Sequence, residues 1–154
     1  MTKKSITIYI VEDELLIVSC LKDQLEESGY QILGTSTRGE QSLEELTKLR
    51  NENCEPMIVL MDINLRGKMD GIETARLITE LFDCSIIFLT GQSSREIYER
   101  SSRIKPFSFV LKPYDQEQMI MAIEIAAYQR ELEQENKEIK EKLASLLSKN
   151  STKQ

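Results

Sequence analysis

Five polar residues stand where apolar runs end. Ile6-Thr7-Ile8-Tyr9-Ile10-Val11 closes on Glu12-Asp13, and Ile58-Val59-Leu60-Met61 closes on Asp62. Ser85-Ile86-Ile87-Phe88-Leu89 closes on Thr90-Gly91, and Phe107-Ser108-Phe109-Val110-Leu111 closes on Lys112-Pro113. Carboxylates gathered within a few Å repel one another strongly even at the dielectric of a protein surface, so such a group needs a cation. Oxygen donors without a nearby thiolate, in a chain without histidine, select a hard ion. A site with few protein ligands suits Mg2+, which keeps its waters, better than Ca2+. Lys112 adds a fixed positive charge and Thr90 a hydroxyl donor. A carboxylate flanked by a divalent ion, an ammonium and a hydroxyl is equipped to attack a phosphoryl group and hold the resulting acyl phosphate. Asp62 is the candidate for that carboxylate.

Composition narrows the alternatives. The absence of histidine removes the commonest general base, the Ser-His-Asp and Cys-His nucleophile systems and most zinc sites. A formal net charge of -6 argues against direct binding to nucleic-acid phosphates, which requires clustered Lys and Arg. Cys20, Cys54 and Cys84 match neither a metal-ligand spacing nor a redox pair, and read as thiols in a reducing compartment. No apolar run reaches the roughly 18 to 20 residues of a membrane span, so no membrane partner is expected. Met1-Thr2-Lys3-Lys4-Ser5 leads straight into a strand-like run without the features of a secretory leader, and a cytoplasmic protein is expected.

The elements between the polar residues must bring them together. Leu15, Val18, Leu21 and Leu25 recur at helical spacing until Ser28-Gly29, and Gln31 to Thr35 reads as a short second strand. Gly39 to Arg50 is a second helix, and Ile72, Ala75, Ile78 and Leu81-Phe82 mark a third. A weaker fourth helix covers Ser93 to Ser102. Strand–helix alternation of this kind predicts an α/β fold: a doubly wound, five-stranded parallel sheet of flavodoxin-like order 2-1-3-4-5. Ligands collect at the carboxyl edge of such a sheet, where Glu12, Asp13, Asp62, Thr90 and Lys112 all fall. Singly, each has a plainer use: Asp13 or Thr90 as a helix cap, Lys112 as a solvated charge. Together, in this order, they argue for a site. A flavin-binding domain of this topology would want a Ser/Thr/Gly-rich phosphate loop where Glu12-Asp13-Glu14 would repel a phosphate. An aspartyl phosphatase would want a second acid where Asn64 stands.

Over about residues 5 to 127 the chain resembles the receiver domains of two-component response regulators. Their pattern is an acidic pair after the first strand, a phosphoacceptor Asp after the third, Ser or Thr after the fourth and Lys-Pro after the fifth. The resemblance implies phosphorylation of Asp62 by a histidine kinase or phosphotransfer protein, with Thr90 and Lys112 assisting. It implies Mg2+ held by Glu12, Asp13, Asp62 and the carbonyl of Asn64, Glu12 acting mostly through water. It also implies a cis Lys112-Pro113 peptide and a switch pairing Thr90 with an aromatic residue, here Phe109. Phe109 lacks a tyrosine's hydroxyl and would act by packing alone, and Gly91 replaces the alanine common after the Thr. Output would pass through the face formed by the fourth helix, fifth strand and fifth helix. Such a protein is a stoichiometric phosphoacceptor rather than an enzyme, apart from its own phosphorylation and dephosphorylation. The second reading is a receiver-like interaction module that no longer depends on phosphorylation.

Residues 1–127 are assigned to this domain, 128–148 to a helical extension and 149–154 to a disordered tail. From Asp115 onward the helical pattern continues without Gly or Pro to about Ser148. Ile125, Leu132, Ile139 and Leu146 recur every seven residues, with Gln129, Asn136 and Leu143 in the alternate core positions, the pattern of a coiled coil whose polar Asn sets register. A homodimer through this helix or through the fourth-helix, fifth-strand, fifth-helix face is one expectation. A single solvated helix sustained by pairs such as Glu133 with Lys137 is the other.

Overall fold

The computed structural model describes residues 5–91, 95–104 and 107–151. The elements alternate strictly: β1 (Thr7–Val11), α1 (Leu15–Glu27), β2 (Gln31–Ser36), α2 (Gly39–Asn51), β3 (Ile58–Asp62), α3 (Gly71–Leu81), β4 (Ser85–Thr90), α4 (Arg95–Ser101), β5 (Phe107–Leu111) and α5 (Gln116–Ser151). All strand pairs are parallel, in the expected order β2-β1-β3-β4-β5. Residues 1–4 and Ser93, the expected start of the fourth helix, lie outside the described residues.

Side chains alternate faces along a strand, so a sheet covered on both sides needs apolar residues at every position. Tyr9, Val11, Val59, Met61, Ile86 and Phe88 pack on one face with Leu46 of α2 and Ile72, Ala75 and Ile78 of α3. Ile8, Ile10, Ile58, Leu60, Ile87 and Leu89 pack on the other with Leu21 and Leu25 of α1 and Met119 and Ile123 of α5. Each such side chain contributes about 2 kcal/mol by leaving water, which makes β3, buried along its whole length, the fold's axis.

The ends of the elements follow local chemistry. Gly29 takes φ +93°, the left-handed conformation that closes α1, and its N–H donates to the Glu26 carbonyl at 3.0 Å. Asp70 caps α3 by accepting from the Glu73 N–H at 2.9 Å. Asp13 is not a helix cap: α1 begins after Glu14, which makes no side-chain cap bond.

α5 packs on the sheet only as far as Arg130, and residues 131–150 are exposed. At about 1.5 Å per residue the projecting part runs for about 30 Å. The helix reaches Ser151, so Lys149–Ser151 belong to it rather than to the expected disordered tail, and residues 152–154 lie outside the described residues. Leu132, Ile139, Leu143 and Leu146 stand exposed along the projection, continuing a stripe begun by Met121 and Ile125 beside β5.

Candidate functional site

Strand register assembles the site. Val11 pairs with Met61, Asp62 with Leu89 and Thr90 with Leu111, so the residues at or just after these strand ends arrive at one level. Glu12, Asp62, Thr90 and Lys112 therefore meet at the carboxyl edge although they span a hundred positions of sequence. Glu12, Asp62 and Thr90 are buried. Glu12, Asp13 and Asp62 each present a carboxylate oxygen within 4.8 Å of the others.

Lys112 is the counter-charge. Its Nζ donates to Glu12 Oε2 at 2.9 Å and lies 3.6 Å from Asp62 Oδ1. Burial works against the ammonium, but the Glu12 hydrogen bond and the Asp62 and Glu12 charges outweigh it and raise its pKa. Burial pushes the Glu12 carboxyl up to about 7; the Lys112 hydrogen bond opposes the rise and the Asp62 charge adds to it. A buried acid so costly to ionise beside two other carboxylates is a place where further positive charge is stabilising. The donors are oxygens without imidazole or thiolate, which suits a hard divalent cation.

The loop after β3 shapes the acceptor. The Asn64 N–H donates to Asp62 Oδ1 at 3.1 Å, and the Gly71 N–H donates to the Ile63 carbonyl at 2.8 Å. A Cβ on Gly71 would lie 2.0 Å from the Asp62 carbonyl oxygen, so only glycine lets α3 start this close to the acceptor strand. Thr90 sits at the end of β4, and its carbonyl accepts the Lys112 N–H at 2.7 Å, tying the two strand ends together. Among the described residues nothing lies within 4 Å of the position a Cβ on Gly91 would take. Phe109 is half-buried and stacks on Phe88 with ring centroids 5.4 Å apart. The Lys112-Pro113 peptide is cis.

Three neighbours escaped sequence reasoning. Arg66 Nε lies 3.6 Å from Asp13 Oδ2 across the mouth of the acid group. Glu40 of α2 accepts the Lys68 N–H at 3.0 Å. Arg100 of α4 pairs with Asp70 at 2.6 Å, linking that helix to the cap of α3. Each is an ordinary surface charge in sequence, and each acquires its role from loops folding back on helices distant in the chain.

A parallel 2-1-3-4-5 sheet carrying an acid cluster and a lysine at its carboxyl edge defines a class, the flavodoxin-like signalling receivers. Residues 8–124 match the response regulator receiver domain family, and the chain belongs to it. The chain is 34% identical over 119 residues to the transcriptional regulatory protein PdtaR of Mycobacterium tuberculosis, a match covering 77% of this chain and 55% of that protein. The chain thus spans about half the length of that relative. The signal receiver domain of a modulated diguanylate cyclase from Desulfovibrio desulfuricans G20 superposes with a TM-score of 0.76 at 35% identity, covering 84% of this chain and 99% of that one. A chain of the CheX-CheY-BeF3-Mg2+ complex from Borrelia burgdorferi matches at 26% identity and a TM-score of 0.65, covering 77% and 86%.

Proposed function

We propose that this chain is a phosphorylation-dependent signalling switch that accepts a phosphoryl group on Asp62 from a histidine kinase or phosphotransfer protein. The observation that carries the reading is the Lys112 ammonium, held between Glu12 and Asp62 where three carboxylates converge. Glu12, Asp13 and Asp62, with the Asn64 carbonyl, would hold Mg2+, which when bound neutralises phosphoryl oxygens. A solved relative crystallised with BeF3 and Mg2+ supports this. Asp62 attacks phosphorus through a carboxylate oxygen; the new O–P bond forms as the bond to the donor breaks, and the electron pair leaves with the donor. Lys112 offsets the charge of the acyl phosphate, and the Thr90 hydroxyl donates to one of its oxygens.

Thr90 precedes α4, and Phe109 lies on β5 against the same core, so the α4-β5-α5 face is positioned to respond. Moving a two-state equilibrium from mostly inactive to mostly active requires about 5 kcal/mol of differential interaction. Two charge-assisted contacts of about 1.5–3 kcal/mol each reach that range. The exposed apolar stripe on α5 supports a homodimer through that face and helix, and the protein would work in the cytoplasm as a stoichiometric phosphoacceptor. Acetyl phosphate with Mg2+ should add one phosphoryl mass to the wild type and none to Asp62→Asn. An unchanged adduct in the variant would place the acceptor elsewhere. No adduct in the folded wild type would favour the interaction module that does not depend on phosphorylation.

A further inference from the structure

The loop from Ile63 to Asp70 carries Asn64 and Arg66 along the rim of the acid group, and one of its holds comes from a helix that contributes nothing to that group. Gly39, the first residue of α2, has room for no side chain, because a Cβ there would lie 2.2 Å from Thr74 Oγ1. Thr74 is buried and donates to the Asp70 carbonyl at 2.8 Å, so the first turn of α2 rests directly on the first turn of α3. Glu40, the next residue, is thereby aimed at the loop, and its Oε1 accepts the Lys68 N–H at 3.0 Å. Gly67 turns beneath that carboxylate with φ +113°, and a Cβ on it would lie 3.3 and 3.5 Å from the two Glu40 oxygens. A side chain at 67 would be strained in itself and would press on the hydrogen bond beside it.

The loop also has holds outside α2, and Leu65 is buried in the core. Ile63 N–H donates to the Leu89 carbonyl at 3.1 Å, Asn64 N–H to Asp62, and Asp70 caps α3. The middle, Arg66 to Met69, lies on the surface, where Glu40 grips it. A charge-assisted bond from a carboxylate on a rigid helix to a backbone N–H is among the stronger ways to hold an exposed loop.

We propose that Glu40 is a positioning residue for the acceptor site: it fixes Gly67 and Lys68, and through them the Asn64 carbonyl and the Arg66 side chain that border the acid group. It acts through the loop rather than by touching the reacting atoms. The proposal rests on the reading of Glu12, Asp13, Asp62 and Asn64 as a Mg2+ site and adds a distant support for it. Partners that orient metal ligands from outside the ligand set commonly change affinity by an order of magnitude.

Two measurements on the full chain test it: calorimetric Mg2+ titration, and amide hydrogen exchange without metal. Glu40→Ala should weaken Mg2+ binding by about threefold to tenfold and speed exchange at Lys68 and Asn64. Glu40→Gln, which keeps the acceptor oxygen but not the charge, should stay within about twofold of wild type if the hydrogen bond is what matters. Glu44→Ala, which removes an exposed acid from the same helix, controls for net charge. Unchanged exchange at both amides in Glu40→Ala would overturn the proposal, and so would an equal loss of affinity in Glu44→Ala. A wild type that binds no Mg2+ would overturn the metal reading. Exchange at Asn64, whose N–H is bonded to Asp62, would then decide alone whether Glu40 holds the acceptor loop.

Discussion

The acid group and the far half of α5 are built on opposite terms. At the sheet edge, Glu12, Asp62 and Thr90 are buried, registered by strand pairing and tied together by the half-buried Lys112 from the turn after β5. Beyond Arg130, residues 131–150 are all exposed, and the apolar side chains Leu132, Ile139, Leu143 and Leu146 face solvent. The first region is interlocked within the chain by Lys112, and its three carboxylates still favour a further cation. The second is a regular helix whose apolar stripe is not satisfied by anything among the described residues. Most helical stability in proteins comes from packing of an amphipathic face. The proposed chemistry thus belongs to the interlocked region, and the proposed association to the projecting one.

The comparison can be broken most severely at Gly71. If the site depends on α3 abutting β3, Gly71→Ala must displace the Asp62 carbonyl or the helix start, and the fold should lose about 3 kcal/mol. Urea denaturation checks this, and a loss within experimental error would show that the junction has slack. A smaller effect, confined to assembly, is expected from the doubly substituted Leu132→Asp/Ile139→Asp. Its self-association by light scattering should weaken at least about tenfold, while the stability of the domain shifts by no more than about 0.5 kcal/mol. Equal mass for wild type and variant at all concentrations would refute the coiled-coil reading of the stripe.

The two regions were also unequally legible in the sequence. β1, β3 and β4, buried on both faces, announce themselves as unbroken apolar runs, and the partly buried edge strand β5 is a shorter apolar-rich run, so all four and the polar residues ending them could be placed from sequence alone. Once the strand order follows, the convergence of Glu12, Asp62 and Lys112 is a matter of topology. Glu40, Arg66 and Arg100 could not be found that way, because a surface carboxylate or guanidinium reveals its partner only when loops have been placed in three dimensions. The demand for glycine at 71 was equally hidden, since it arises from the approach of a carbonyl nine residues away. On α5 the heptad spacing was readable, but the place where the helix stops packing on the sheet was not. At that point Arg130 reaches the turn before β4, and the helical pattern of the sequence continues without a break. The helix also outruns its expected end, because Lys149 and Asn150 prolong it without a glycine or proline to stop it.

Arg130 ties α5 to the turn before β4 and provides the finest test of the difference between the two regions. Its guanidinium donates to the Asp83 backbone carbonyl at 3.1 Å and pairs with the Asp83 carboxylate at 3.1 Å. The Arg130 side chain is largely covered whereas that of Asp83 is open to solvent, so the two bonds are unequal. The carbonyl bond goes to a fixed backbone acceptor, while the ion pair holds a mobile, solvated carboxylate and is screened. Arg130→Ala should therefore cost about 1 kcal/mol, and Asp83→Ala, which leaves the carbonyl bond intact, less than about 0.5 kcal/mol. If the junction is a clamp, Arg130→Ala should also speed amide exchange in α5 from the residues beside it outward, leaving β3 and β4 protected. If protection fell evenly across the sheet instead, the projecting helix and the sheet would form one cooperative unit, and the contrast between an interlocked site and an outward-facing helix would be wrong.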